Sequence, residues 1–165
     1  MPLNSGGEHI AFFASCNDGT GFAIAPAAAA TPEVIEDALL VEVENTSGGG
    51  LTFDVATGKV TVATAAGIGK YLAEASIGDC VGQNGKFSTV QIYAKEAGVT
   101  AAATGSRAKK EEPSTAVRSA LGASKAVVNL SAVGDTVEMR LGVETNADSV
   151  TIHSAHLSLL KIGEV

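Results

Sequence analysis

The side chains able to do chemistry are few, and their spacing argues against a shared site. His153 and His156 stand three apart in "VTIHSAHLSLL". On an extended strand that offset sends them to opposite faces, so the two cannot hold one metal ion together. Copies of one histidine could meet only across a symmetry axis, as a polar residue at a subunit seam. Ser106 and Lys109 have S-x-x-K spacing, but no Ser-Asp-Asn or Lys-Thr-Gly follows. Ser124, in "GASKA", lacks the second glycine of a nucleophile elbow. Lys70 follows Gly69, yet a phosphate-cradling loop would need glycine in place of Thr64 and Ser or Thr in place of Tyr71. No nucleophile, base and orienting group fall on plausible neighbouring segments. The expectation is a protein that is not an enzyme and uses neither a cofactor nor a metal.

The remaining reactive residues read in the same way. Cys16 and Cys80 lie far apart with no partner at ligand spacing, so two buried thiols are expected. Glu42, Glu44 and Asp54 lack the D-x-D-x-D spacing of a calcium loop and read as a solvated acidic face. Asn45-Thr46-Ser47 and Asn129-Leu130-Ser131 are formal glycosylation sequons. The formal charge of -7 argues against nucleic acid as a partner, because such binders draw affinity from clustered Lys and Arg. The N-terminus shows no basic region followed by a long apolar one, so secretion by a signal peptide is not expected. The most apolar window, "GFAIAPAAAATPEV", is too short and too rich in proline to cross a bilayer as a helix, and no membrane partner is expected.

The elements that would position any site are strands. The chain has 165 residues, suited to one domain, and aromatics are only 4%, so Val, Ile, Leu and Ala must build the core. "TVEMRLGV" alternates: Val137, Met139, Leu141 and Val143 form the core-facing set, with Thr136, Glu138, Arg140 and Gly142 outward. Gly134-Asp135 reads as the turn of a hairpin with the preceding "KAVVNL". Tyr71, Ala73, Ala75 and Ile77 share one face of another strand, and Asn84-Gly85 reads as a hairpin turn into "KFSTVQIYAKEAG". "NDGTG" reads as a turn, "IAPAAAATPEVIEDA" as a loop or short helical turn after Pro32, and "TAAATGSRAKKEEPST" as an exposed loop or short helical excursion at a sheet edge. In the last strand Val150, Ile152 and Leu160 have one parity while Ala155, Leu157 and Leu159 have the other. A strand apolar on both faces is expected to be covered on both sides, the second cover being another copy.

Many short strands and no convincing amphipathic helix predict an all-β fold, a jelly-roll β-sandwich of about eight to ten strands. Three passages resemble a known superfamily. "FDVATGKVTVATAAGIGKYLAEASI" is similar to the F-D-x-x-T-G-x-F-T-x-P-x-x-G-x-Y passage of the complement first-component globular head and its tumour necrosis factor-like relatives. "VVNLSAVGDTVEMRLG" resembles that superfamily's L-x-x-G-D-x-V-x-L hairpin, and "HSAHLSLLKI" its closing strand F-S-G-F-L-L. Order and spacing agree from Leu51 to Ile162. The resemblance implies a jelly roll associating as a threefold homotrimer, with Phe53, Tyr71, Leu157 and Leu159 at core and trimer-axis positions.

Phage and bacterial versions of this jelly roll resemble virion decorations, head fibres or fibre tips. The functional expectation is a non-enzymatic virion structural protein, a trimeric capsid decoration (cement) or head-fibre protein of a bacteriophage. It would be made in the host cytoplasm and bind the major capsid protein or another virion protein at the capsid surface. Residues 1–45 are expected to be an irregular arm with first strands, a possible anchor, ahead of a jelly-roll domain at 46–165. The alternative is a receptor- or glycan-binding module of a tail fibre or adhesin, using exposed loops such as "TGSRAKKEEPST" at 104–115.

Overall fold

The structure, a computed structural model, describes residues 10–26, 32–35, 40–82, 85–111, 117–144 and 149–165. In chain order its strands are β1 (Ile10–Ile24), β2 (Glu33–Val34), β3 (Val41–Asn45), β4 (Leu51–Asp54), β5 (Lys59–Val62), β6 (Gly69–Val81), β7 (Phe87–Glu96), β8 (Val99–Glu111), β9 (Gly122–Leu130), β10 (Thr136–Val143) and β11 (Val150–Gly163). They form two antiparallel sheets, one ordered β3-β1-β11-β6-β9 and the other β4-β5-β10-β7-β8, with β2 beside β10. The fold is therefore an all-β jelly-roll sandwich.

Alternating burial defines the core between the sheets. Val137, Met139, Leu141 and Val143 on β10 are buried, as are Tyr71, Ala73, Ala75 and Ile77 on β6 and Leu157 and Leu159 on β11. Each fully buried Leu or Ile contributes about 1.5–3 kcal/mol relative to exposure. The outward set on β10 is less simple than its alternation suggests. Glu138 is only 2% exposed, because Lys59 and Arg140 pair with its two carboxylate oxygens. Arg140 in turn lies over the Tyr93 ring, 4.2 Å from its centroid.

Two turns expected to close hairpins instead carry the chain from one sheet to the other. β9 pairs with β6, whereas β10 pairs with β5 and β7, so Gly134-Asp135 spans the sandwich. Likewise β6 and β7 lie in different sheets; Gly85 has φ +67, and Asn84 lies outside the described residues. In a jelly roll, strands consecutive in sequence often face each other across the core, and a short turn serves either arrangement. The Gly134-Asp135 turn is anchored locally. Asp135 Oδ2 accepts the backbone N–H groups of Ser131 and Ala132 at 2.9 and 3.0 Å, while Gly134 N–H donates to Val62 at 2.9 Å.

The segment expected as a loop at 100–115 is strand β8 as far as Glu111, hydrogen-bonded to β7 from Glu96–Val99 to Phe87–Glu111. Its Ala, Gly and Lys content is poor in β-formers, but that composition suits a sheet edge. Ala97 and Gly98, at φ 49° and 86°, supply the two positive-φ positions of a tight hairpin turn between β7 and β8. Residues 112–116 lie outside the described set.

The N-terminal part is woven into the same sheet. β1 runs between β11 and β3, and its register with β11 shifts between Asn17 and Phe22, where a turn had been expected. The chain bulges there and continues in the same direction. Glu33–Val34, expected in a loop or helical turn, is a short strand opposite Leu141 and Arg140. The first strands share the core of the rest of the chain through Phe12, Ala14 and Ile24.

Strand β11 also revises the expectation of two apolar faces. Its pairing with β6 is irregular between Ile152 and Ala155. The core-facing set therefore changes from Val150 and Ile152 to Ala155, Leu157 and Leu159, and β6 changes parity in step, from Ile77 to Cys80. All of these residues face one core. The two parities do not by themselves require a second copy.

Candidate functional site

The outer face of the five-stranded sheet has no second layer among the described residues. Cross-strand register sets its rows. Leu160 lies opposite Leu72, and Leu72 opposite Val127, which is 56% exposed. The next row runs Glu44, Phe13, Ser158, Glu74 and Lys125, with Lys125 Nζ 3.0 Å from Glu74 Oε2. A third row runs Val41, Ser15, His156, Ser76 and Ala123. The Ser76 hydroxyl lies 3.0 Å from His156 Nδ1, and the His156 ring stacks obliquely on Phe13 at 6.0 Å. This face is thus apolar at Phe13, Leu72, Leu160 and Val127, with small hydroxyl residues and one internal ion pair between them. Such a mixture suits a protein interface better than a catalytic centre.

Of the residues given core or trimer-axis positions, three lie in the core of this chain. Tyr71, Leu157 and Leu159 are enclosed within one chain, so another copy cannot touch them. Tyr71 donates from its hydroxyl to the Gly67 carbonyl at 2.8 Å, which satisfies the buried phenol. Burial raises the phenol's pKa above its ordinary value, with a further push from the Glu164 charge. Phe53 is half-buried on β4, in the other sheet, with its ring 5.4 Å from that of Phe12. Sequence reasoning placed Leu160 on a second apolar parity but missed the outward residues Phe13, Leu72 and Val127. The opposite parity from Tyr71 and Leu157 was the signal that would have found them.

The other candidates have structural partners. Ser106 is buried and donates its hydroxyl to the Ile92 carbonyl at 3.0 Å, whereas Lys109 Nζ lies 3.8 Å over the Phe87 ring, so the S-x-x-K pair is divided. Ser124 donates to the Ser106 carbonyl, tying the edge of one sheet to that of the other. Lys70 is exposed on β6. The His153 ring occupies the space beside Gly21, where an added Cβ would lie 2.7 Å from Nδ1; Gly21 has φ +79. Cys80 is buried and Cys16 half-buried, and neither forms a disulfide. Asp54 caps its own turn by accepting from Ala56 N–H at 3.0 Å and Thr57 Oγ1 at 2.8 Å; the Thr57 bond leads in lowering its pKa. Glu42 accepts from Asn45, whose amide also donates to the Leu51 carbonyl at 3.0 Å. Among the described residues no three His, Cys, Asp or Glu side chains converge on a possible metal position.

Known structures share this arrangement. The structure of Eiger TNF from S. frugiperda superposes with a TM-score of 0.63 at 17% identity, covering 95% of this chain and 96% of that one. Murine APRIL at pH 5.0 gives 0.58 at 14% identity, covering 92% and 98%. Murine APRIL at pH 8.5 gives 0.56 at 13% identity, again covering 92% and 98%. The fold is therefore TNF-like over nearly the whole chain. No family model matches the sequence, and no curated protein matches it either.

Proposed function

We propose that this chain is a non-enzymatic assembly module that forms a threefold homotrimer through the outer face of its five-stranded sheet. The observation that carries the reading is the cross-strand row Leu160, Leu72 and Val127 beside Phe13, apolar residues on the side away from the core. Five strands spaced ~4.8 Å, with a rise of ~3.3 Å per residue, make a face roughly 20 by 30 Å. That size approaches the ~800 Å² that each partner commonly gives to a stable interface. In a ring of three, each copy presents this face to a different surface of its neighbour, and the contacts close.

The role we assign to the trimer is that of a virion structural protein, a capsid decoration or head-fibre protein that binds the major capsid protein. Two features support it. An acidic chain is suited to a protein partner rather than to nucleic acid, and a threefold ring fits the local threefold positions of a capsid lattice. The adhesin alternative has less support, because residues 104–111 of the loop it would use belong to the hydrogen-bonded edge strand β8. Mixing the purified protein with undecorated capsids tests the role. Co-sedimentation, with a higher temperature of shell opening, is expected; protein that stays in the supernatant overturns it.

A further inference from the structure

The edges of the two sheets meet along β8 and β9, and a bulge in β8 leaves a cleft there. Gln91 pairs with Arg107 but Tyr93 pairs with Ala102, so residues 103–106 stand opposite Ile92 alone. Gly105, at φ +76, lets the extra residues swing out, and Ser106 pins them to Ile92 and Ser124. On the other side of the bulge the edges separate around a cleft of about 380 Å³. That is within the usual range of ligand pockets, ~300–1,000 Å³.

The lining has a definite chemical character. Ala94, Ala101, Ala102 and Ala103, with Val99 and Val127, give small aliphatic walls, and Thr104 and Asn129 add polar groups. Glu96 supplies the charge. Its Oε1 accepts the Asn129 backbone N–H at 2.9 Å, an anchor that joins β7 to β9 and holds the carboxylate at the lining. Its other oxygen has no protein partner among the described residues.

We propose that this cleft binds an aliphatic ammonium, an unbranched alkyl chain ending in a primary amine. The alkyl chain lies against the alanine and valine walls, and the ammonium meets the second Glu96 oxygen in a charge-assisted hydrogen bond. A free alkylamine and the side chain of a lysine offer the same chemistry. The cleft shares Val127 with the face proposed for the trimer, while Glu96 and the alanine walls lie outside that face's rows.

Titration of the isotope-labelled protein with n-pentylamine at neutral pH, followed by amide NMR shifts, tests it. The expected shifts cluster at residues 94–104 and 127–129 and saturate in the millimolar range. Pentanol, with the tail but no charge, and methylamine, with the charge but almost no tail, should each bind at least tenfold more weakly. Glu96→Gln keeps an acceptor for Asn129 and should lose at least tenfold in pentylamine affinity, ~1.4 kcal/mol. Ala102→Leu, which fills the cleft, should lose it as well. A capped Ala-Lys-Ala peptide binding more tightly than pentylamine assigns the site to lysine side chains, and the reverse order assigns it to free amines. Shifts scattered over the acidic surface, no saturable shift, equal binding of pentanol, or unchanged affinity in Glu96→Gln would each overturn the proposal.

Discussion

Leu72 and Leu160 are direct cross-strand partners on β6 and β11, and both point away from the core that Tyr71 and Leu159 enter from the same strands. Both leucines are part-buried on the outer face, so an isolated chain leaves a fraction of their apolar surface in water. Covering that face is what makes the pair stabilising. Leu160→Glu should therefore break self-association while sparing the fold. The expected result is a monomer by light scattering, with an unchanged far-ultraviolet circular dichroism spectrum. Loss of the folded spectrum would mean that Leu160 belongs to the core.

Asp135 holds the turn between β9 and β10 by accepting two backbone N–H groups. Asp135→Ala leaves both N–H groups, which are part-buried, without that acceptor, at a cost of about 1 kcal/mol. Urea unfolding should show a lower midpoint with an unchanged slope, and Asp135→Asn should recover part of the loss.

Tyr71 links stability to alkaline pH. Its pKa in the folded chain lies above the ordinary 10.0, because burial disfavours the phenolate. The contribution is fully present below pH 10 and is lost as pH rises through the raised pKa. Tyr71→Phe should be less stable at neutral pH, by about 1 kcal/mol for the lost hydrogen bond, and its stability should fall less steeply above pH 10. Parallel pH profiles for the two proteins would refute the linkage.

Gly50 and Gly67 bring two backbone segments together ahead of β6. A Cβ at Gly50 would lie 2.5 Å from Gly67 N, and one at Gly67 would overlap the Gly50 carbonyl. Both obstacles are backbone atoms, so relief requires the segments to part. Gly67→Ala should cost about 1–3 kcal/mol, seen as a lower melting temperature, whereas Gly163→Ala, with open space around it, should change little.

Strand parity was readable from the sequence wherever a single period ran unbroken. The alternation of Val137, Met139, Leu141 and Val143 and that of Tyr71 to Ile77 both match the burial of those residues. Sheet membership was not readable. Gly134-Asp135 is a turn in either topology, and nothing in the neighbouring residues says whether the next strand pairs beside the last one or faces it across the core. The parity change in β11 was hidden for a related reason. The irregularity at Ser154 takes its meaning from the matching change in β6, about 75 residues earlier in the chain. Strand β8 was obscured by its own composition, since alanine, glycine and lysine at a protected edge look like a loop.

The proposed interface between copies of this chain lies on the outer sheet face. Its most direct test is the solution mass of the purified protein by size exclusion with light scattering, on the unaltered chain of 16.5 kDa and on Leu160→Glu side by side. A mass of about three chains is expected for the former and of one chain for the latter. A monomer in both cases, or a trimer that survives Leu160→Glu, would contradict it.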